Sequence, residues 1–69
     1  MLTIQDLIEQ FEIQGAYKVV AYNEETYEPI IVAEGYEIRL SSIKDEYLDA
    51  KISYMYADDN VLVIEVSID

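Results

Sequence analysis

The chain has 69 residues, with fifteen Asp or Glu against four Lys or Arg, no histidine, no cysteine and a formal net charge of -11. A surface this acidic is repelled by nucleic acid and anionic membranes and drawn to basic partners, while the missing His and Cys exclude disulfides, thiolate metal sites and the usual nucleophile and base pairs. The apolar share of 52% is too high for a disordered acidic tail, so one small α+β domain over residues 1–69 is expected, with a thin stability margin.

Thr3 followed by Asp6 has the spacing of a capping box, and Ile4, Leu7, Ile8 and Phe11 recur at helical spacing, which predicts a helix over residues 3–12. Gly15 is placed to turn the chain after it. From Ala16 to Tyr22 the period becomes two, with Tyr17, Val19 and Ala21 on one face and Lys18, Val20 and Tyr22 on the other. A polar connection, Asn23 to Thr26, precedes a second strand from Pro29 to Ala33, and the pair reads as a hairpin. Gly35 interrupts, and Tyr36 to Leu40 either extends the strand beyond a bulge or forms a short separate one.

Ser42 lies three residues before Asp45, a second capping signal, so a short helix over residues 43–49 is expected to hold Ile43, Tyr47 and Leu48 against the core. Alternation resumes from Ala50 to Ala57, with Ile52, Tyr54 and Tyr56 on one face and Lys51, Ser53 and Met55 on the other. Asp58-Asp59-Asn60 has compact turn chemistry, and Val61 to Ile68 closes the domain with Leu62, Ile64, Val66 and Ile68 inward. The expected architecture is a four-stranded, mostly antiparallel sheet with two short helices on one face, in the order α-β-β-α-β-β and without a crossover.

The acids gather at Glu24, Glu25 and Glu28, at Glu34 and Glu37, at Asp45, Glu46 and Asp49, and at Asp58 with Asp59. Carboxylates two apart on a strand lie roughly 6.6 Å from one another, and those at i and i+4 on a helix about 6 Å, spacings comparable with those of neighbouring phosphates. Mimicry of a nucleic-acid backbone and simple solubilising charge both fit this pattern. Of the seven tyrosines, Tyr17, Tyr54 and Tyr56 are expected in or near the core and Tyr22, Tyr27 and Tyr36 near loops, half exposed, where tyrosine suits an interface. The second sheet face, with Val20, Tyr22, Met55 and Val63, is apolar enough to support a homodimer.

No serine has a candidate activating partner and no glycine-rich phosphate loop is present, so no catalytic residue and no cofactor are expected. Asp58 and Asp59 are the best cation candidates, without the ligand spacing of a dedicated loop. The N-terminus has no cationic stretch before an apolar run, and no apolar run approaches the ~20 residues of a membrane span, so a soluble cytoplasmic protein of a bacterial host is expected.

The stretches QDLIEQFEIQGAYKVVAYN and ISYMYADDNVLVIEV resemble segments of small acidic proteins encoded by phages and conjugative elements of Gram-positive bacteria. In size and charge the chain also resembles anti-CRISPR proteins that inhibit Cas9-type nucleases, by overall character and without a shared motif. The resemblance implies a non-enzymatic inhibitor of a basic nucleic-acid-handling protein, since such nucleases hold their heteroduplex in a positively charged channel. The expected partner contacts are Glu24, Glu25, Glu28, Asp45, Glu46, Asp49, Asp58 and Asp59 by charge, and Tyr27 and Tyr36 by packing. A homodimeric accessory protein of a mobile element is the alternative.

Overall fold

A computed structural model describes residues 2–23 and 25–68. The Ile68 side chain, expected to point inward, and Glu24, an expected contact, lie outside the described residues. Thr3 caps the first helix, α1 (Ile4–Gln10), by a reciprocal pair of bonds: its hydroxyl accepts from the Asp6 amide at 3.1 Å, and its own amide donates to the Asp6 carboxylate at 3.2 Å. This capping box satisfies donors that a helix start otherwise leaves open. The helix ends earlier than its apolar spacing predicts, because Phe11 is extended and turns its ring to solvent. Gly15, at φ +91°, then redirects the chain in a conformation that suits glycine.

Four strands follow: β1 (Ala16–Asn23), β2 (Pro29–Tyr36), β3 (Lys51–Asp58) and β4 (Val61–Ile68). They lie in the order β2-β1-β4-β3, with antiparallel ladders at both flanks and a parallel ladder between β1 and β4 at the centre. The sheet is therefore mixed, which corrects the expectation of a mostly antiparallel sheet without a crossover. The cause is the segment 37–50: β2 finishes beside Ala16, at the start of β1, whereas β3 begins beside Ser67, at the end of β4. A connection that runs the length of the sheet before the second hairpin begins makes β4 run parallel to β1.

That segment contains a 3₁₀ turn (Leu40–Ser42) and α2 (Asp45–Leu48). Ser42 does not cap α2. It belongs to the 3₁₀ turn, its amide donating to the Arg39 carbonyl at 2.9 Å, and Lys44 occupies the cap position without a side-chain bond. Ile38 and Ile43 are buried, and Tyr47 and Leu48 pack beside them on a core built from Ile4, Leu7, Tyr17, Val19, Ala21, Ile64 and Val66. Both helices thus cover one face of the sheet. Neither is long and apolar enough to cross a membrane.

Two bulges shift the strand phases. In β2, Val20 pairs with Ile31 and Val19 with Ala33, which leaves Val32 as the extra residue and lets both Val32 and Ala33 reach the core. The irregularity is there and not at Gly35, through which β2 continues to Tyr36 opposite Tyr17 and Ala16; the positive φ of Glu37 ends the strand. In β3, Ile52 pairs with Val66 but Tyr54 with Glu65, leaving Ser53 extra. Beyond this point Tyr54 and Tyr56 stand on the face away from the helices and Met55 on the helix side, the reverse of strict alternation. The expected placement of Tyr54 and Tyr56 in or near the core is therefore overturned: they are 68% and 45% exposed. At the far end, Asp59 and Asn60 both take positive φ, the two-residue turn that matches strand twist and that their side chains tolerate.

Replacing Ile64, fully buried on central strand β4, with alanine is expected to cost about 2–5 kcal/mol, as for other buried aliphatics. Tyr54→Ala, on an exposed ring, should cost less than about 1 kcal/mol. Urea unfolding of both variants checks the strand phase, and equal costs would contradict the bulge at Ser53.

Candidate interaction face

With both helices on one side, the opposite face of the sheet is uncovered. The strand registers arrange its side chains in rows: Glu34, Lys18, Val63 and Tyr56; then Ile31, Val20, Glu65 and Tyr54; then Pro29, Tyr22, Ser67 and Lys51. Val20 and Val63 are each only 6% exposed, yet neither belongs to the helix-side core. They are sheltered by the longer side chains of their own face, so the centre of this face is a second small apolar cluster.

Two grooves cross it. One, of about 300 Å³, is lined by Lys18, Val20, Tyr22, Ile31, Tyr56 and Asp58. The other, of about 220 Å³, lies among Tyr22, Tyr27, Ser53, Tyr54, Glu65 and Ser67. The Ser53 and Ser67 hydroxyls, both lining this second groove, share one hydrogen bond at 2.7 Å. Tyr27 overhangs it from the β1–β2 turn in a left-handed conformation (φ 57°), rare for a bulky residue, with its amide bound to the Asn23 carbonyl at 2.7 Å. A larger concavity of about 490 Å³ lies on the helix side between residues 8–14 and 37–39, where Phe11 is exposed and Arg39 pairs with Glu37 at 3.3 Å. It gathers no aromatic cluster, and Glu9 and Glu12, which also line it, accept from the side chains of Gln5 and Gln14.

The expected contact residues divide between the two ends of the sheet. Glu25, Tyr27 and Glu28 lie in the turn where β1 ends, and Asp45, Glu46 and Asp49 sit on and after α2, just before β3 starts at that same end. Tyr36, Asp58 and Asp59 lie at the other end, with Tyr36 on β2 and the two aspartates at the β3–β4 turn. The β1–β2 turn and the β3–β4 turn therefore occupy diagonal corners, and the acids do not form one strip. All these described residues are exposed, Tyr27 and Tyr36 at 79% and 80%, well beyond the half exposure expected. Among the described residues, no group of three carboxylates converges as a metal ion would require; Asp58 ends β3 and Asp59 is the first residue of the turn.

Glu65 and Tyr54 hold the middle of the face and were not among the expected contacts; Tyr22, expected as an interface tyrosine, stands in the next row toward the end of the sheet. The available signal was Glu65 itself, the one acid in a mostly apolar last strand. Its carboxylate acts on Tyr56: as acceptor of the phenol hydrogen bond first, with slight desolvation next and then its negative charge, it helps push the Tyr56 pKa up from 10.0 to about 12, to which Tyr22 and Asp58 add. No protein-family model, no curated protein and no solved structure is significantly similar to this chain.

Because the folded pKa of Tyr56 is the higher one, the stabilisation drawn from Glu65 is complete below pH 10 and fades as pH rises through about 12. Following the ring carbon of Tyr56 by NMR should give a midpoint near 12 in the native protein and nearer 10 in Glu65→Gln. An unchanged midpoint in the variant would remove Glu65 as the cause.

Proposed function

We propose that this chain is a non-enzymatic binding protein that occupies a cationic groove of a nucleic-acid-handling protein and keeps nucleic acid out of it. A Cas9-type nuclease is the member of that class to which the resemblance in size and charge points. One observation supports the reading above others: the excess charge is not neutralised within the molecule. Among the described residues no carboxylate is buried, and a single ion pair, Arg39 with Glu37, is present. A net charge of -11 held at the surface of so small a domain costs stability by self-repulsion and accelerates encounter with a positive partner.

The division of the acids between two ends favours a partner that straddles the molecule, with the tyrosine-bearing face between the charged ends. A tyrosine surface contributes contact area at modest entropic cost, while the charges steer and orient. The uncovered face also supports a second reading, a homodimeric accessory protein. Two such faces in contact would bring two charges of -11 together, so a dimer of this kind forms more readily as salt rises.

Two measurements test these readings. In a DNA-binding competition with a guide-loaded Cas9-type nuclease, the native chain should displace DNA, and Asp45→Asn/Glu46→Gln/Asp49→Asn should bind more weakly, by roughly tenfold at low salt, with a flatter salt dependence and an unchanged fold. Failure of the native chain to compete at low salt would reject that nuclease as partner. Light scattering after size exclusion that showed a dimer at every salt concentration would favour the accessory protein.

A further inference from the structure

We propose that the groove among Tyr22, Tyr27, Tyr54 and Glu65 is a socket for one arginine side chain of a basic protein partner. The inference rests on the reading of this chain as a binder of basic proteins and specifies where that partner is anchored. Its volume, about 220 Å³, is below the roughly 300–1,000 Å³ of ordinary small-molecule pockets and suits a single side chain. Three tyrosines line it; the face of a phenol ring attracts a cation, and a guanidinium stacks on such rings better than an ammonium does.

Glu65 supplies the complementary charge. It is partly buried, it lies opposite Tyr54 across the β3–β4 ladder, and the one ion pair among the described residues lies elsewhere, between Arg39 and Glu37. The chain's own nearby cations do not line the groove: Lys18 belongs to the adjacent one beside Asp58, and Lys51 stands in the row of Ser67 without lining either. The Ser53 and Ser67 hydroxyls bind each other, and the charged acceptor lining the groove is the Glu65 carboxylate, which beside its interaction with the Tyr56 phenol keeps lone pairs for a guanidinium N–H. The bulge at Ser53 makes the socket, because it brings the Tyr54 ring to the same face as Glu65 and Tyr22. Without that phase change the ring would point to the helix side.

The test is an NMR titration of the intact chain with N-acetyl-arginine amide and, separately, N-acetyl-lysine amide. The expected result is a set of shifts centred on Tyr22, Tyr27, Tyr54 and Glu65, several-fold weaker binding of the lysine probe, a loss of roughly tenfold in Glu65→Gln, and a smaller loss in Tyr54→Leu that Tyr54→Phe restores. Spectral dispersion shows that each variant is folded, and Tyr54 is exposed enough to be replaced. Equal binding of both probes, shifts centred on Asp58 and Asp59 or on α2, or indifference to Glu65→Gln in a folded variant would overturn the socket. Salt-dependent binding of a basic protein that ignores Glu65→Gln would overturn the socket alone. Arginine binding in the groove, without any salt-dependent binding of a basic protein, would uphold the socket and reject the functional reading.

Discussion

The organisation of this molecule follows from what one stretch of chain must do: residues 37–50 carry the backbone from one end of the sheet to the other, across a single face. In doing so they deliver Ile38, Ile43, Tyr47 and Leu48 to the same side that α1 covers with Ile4 and Leu7. Among the described residues no further element covers the second face. Burial of apolar area is the main source of stability, and nearly all of it is concentrated on the helix side. The parallel ladder at the centre and the open face opposite the helices are consequences of that one crossing.

The open face is apolar without being greasy. Val20 and Val63 are shielded by tyrosine and isoleucine side chains, and charged groups on every strand, Glu34, Lys18, Glu65 and Lys51, interrupt the apolar surface. Tyrosine suits this position because its ring covers a neighbour while its hydroxyl stays in water or beside a polar group, as Tyr56 does beside Glu65. The edges have similar protection. Each edge strand carries a bulge, at Val32 in β2 and at Ser53 in β3, and such irregularities discourage edge-to-edge pairing. The acids add long-range repulsion between copies and attraction toward a cationic surface.

Much of the fold was legible in local sequence. Thr3 and Asp6 form the capping box that their spacing indicates, β1 alternates as its residues do, and Asp59-Asn60 adopts the turn that its side chains favour. What was hidden is non-local. A bulge at Ser53 leaves no mark in the period of residues 50–57, since the extra residue is defined only by its partner strand, and so the inward and outward sides of Tyr54 to Ala57 were exchanged. Ser42 and Asp45 have capping spacing, but burial of Ile43 sets the backbone there and turns Ser42 into a 3₁₀ turn. The parallel pairing of β1 and β4 depends on where β3 begins, which is a property of the whole connection.

The candidate site was legible in its charges and less so in its geometry. Counting acids identifies an unneutralised surface, yet the turn at Glu25 and Glu28 and the turn at Asp58 and Asp59 prove to be diagonal corners, and the tyrosines between them become visible only with the strand phases. The most direct measurement is paramagnetic relaxation by small cationic and anionic nitroxides, read residue by residue. An open face within a negative field predicts strong relaxation of Tyr22, Tyr54, Tyr56 and Glu65, greater with the cationic probe. Protection of these residues from both probes, or equal relaxation by the two charges, would contradict the account.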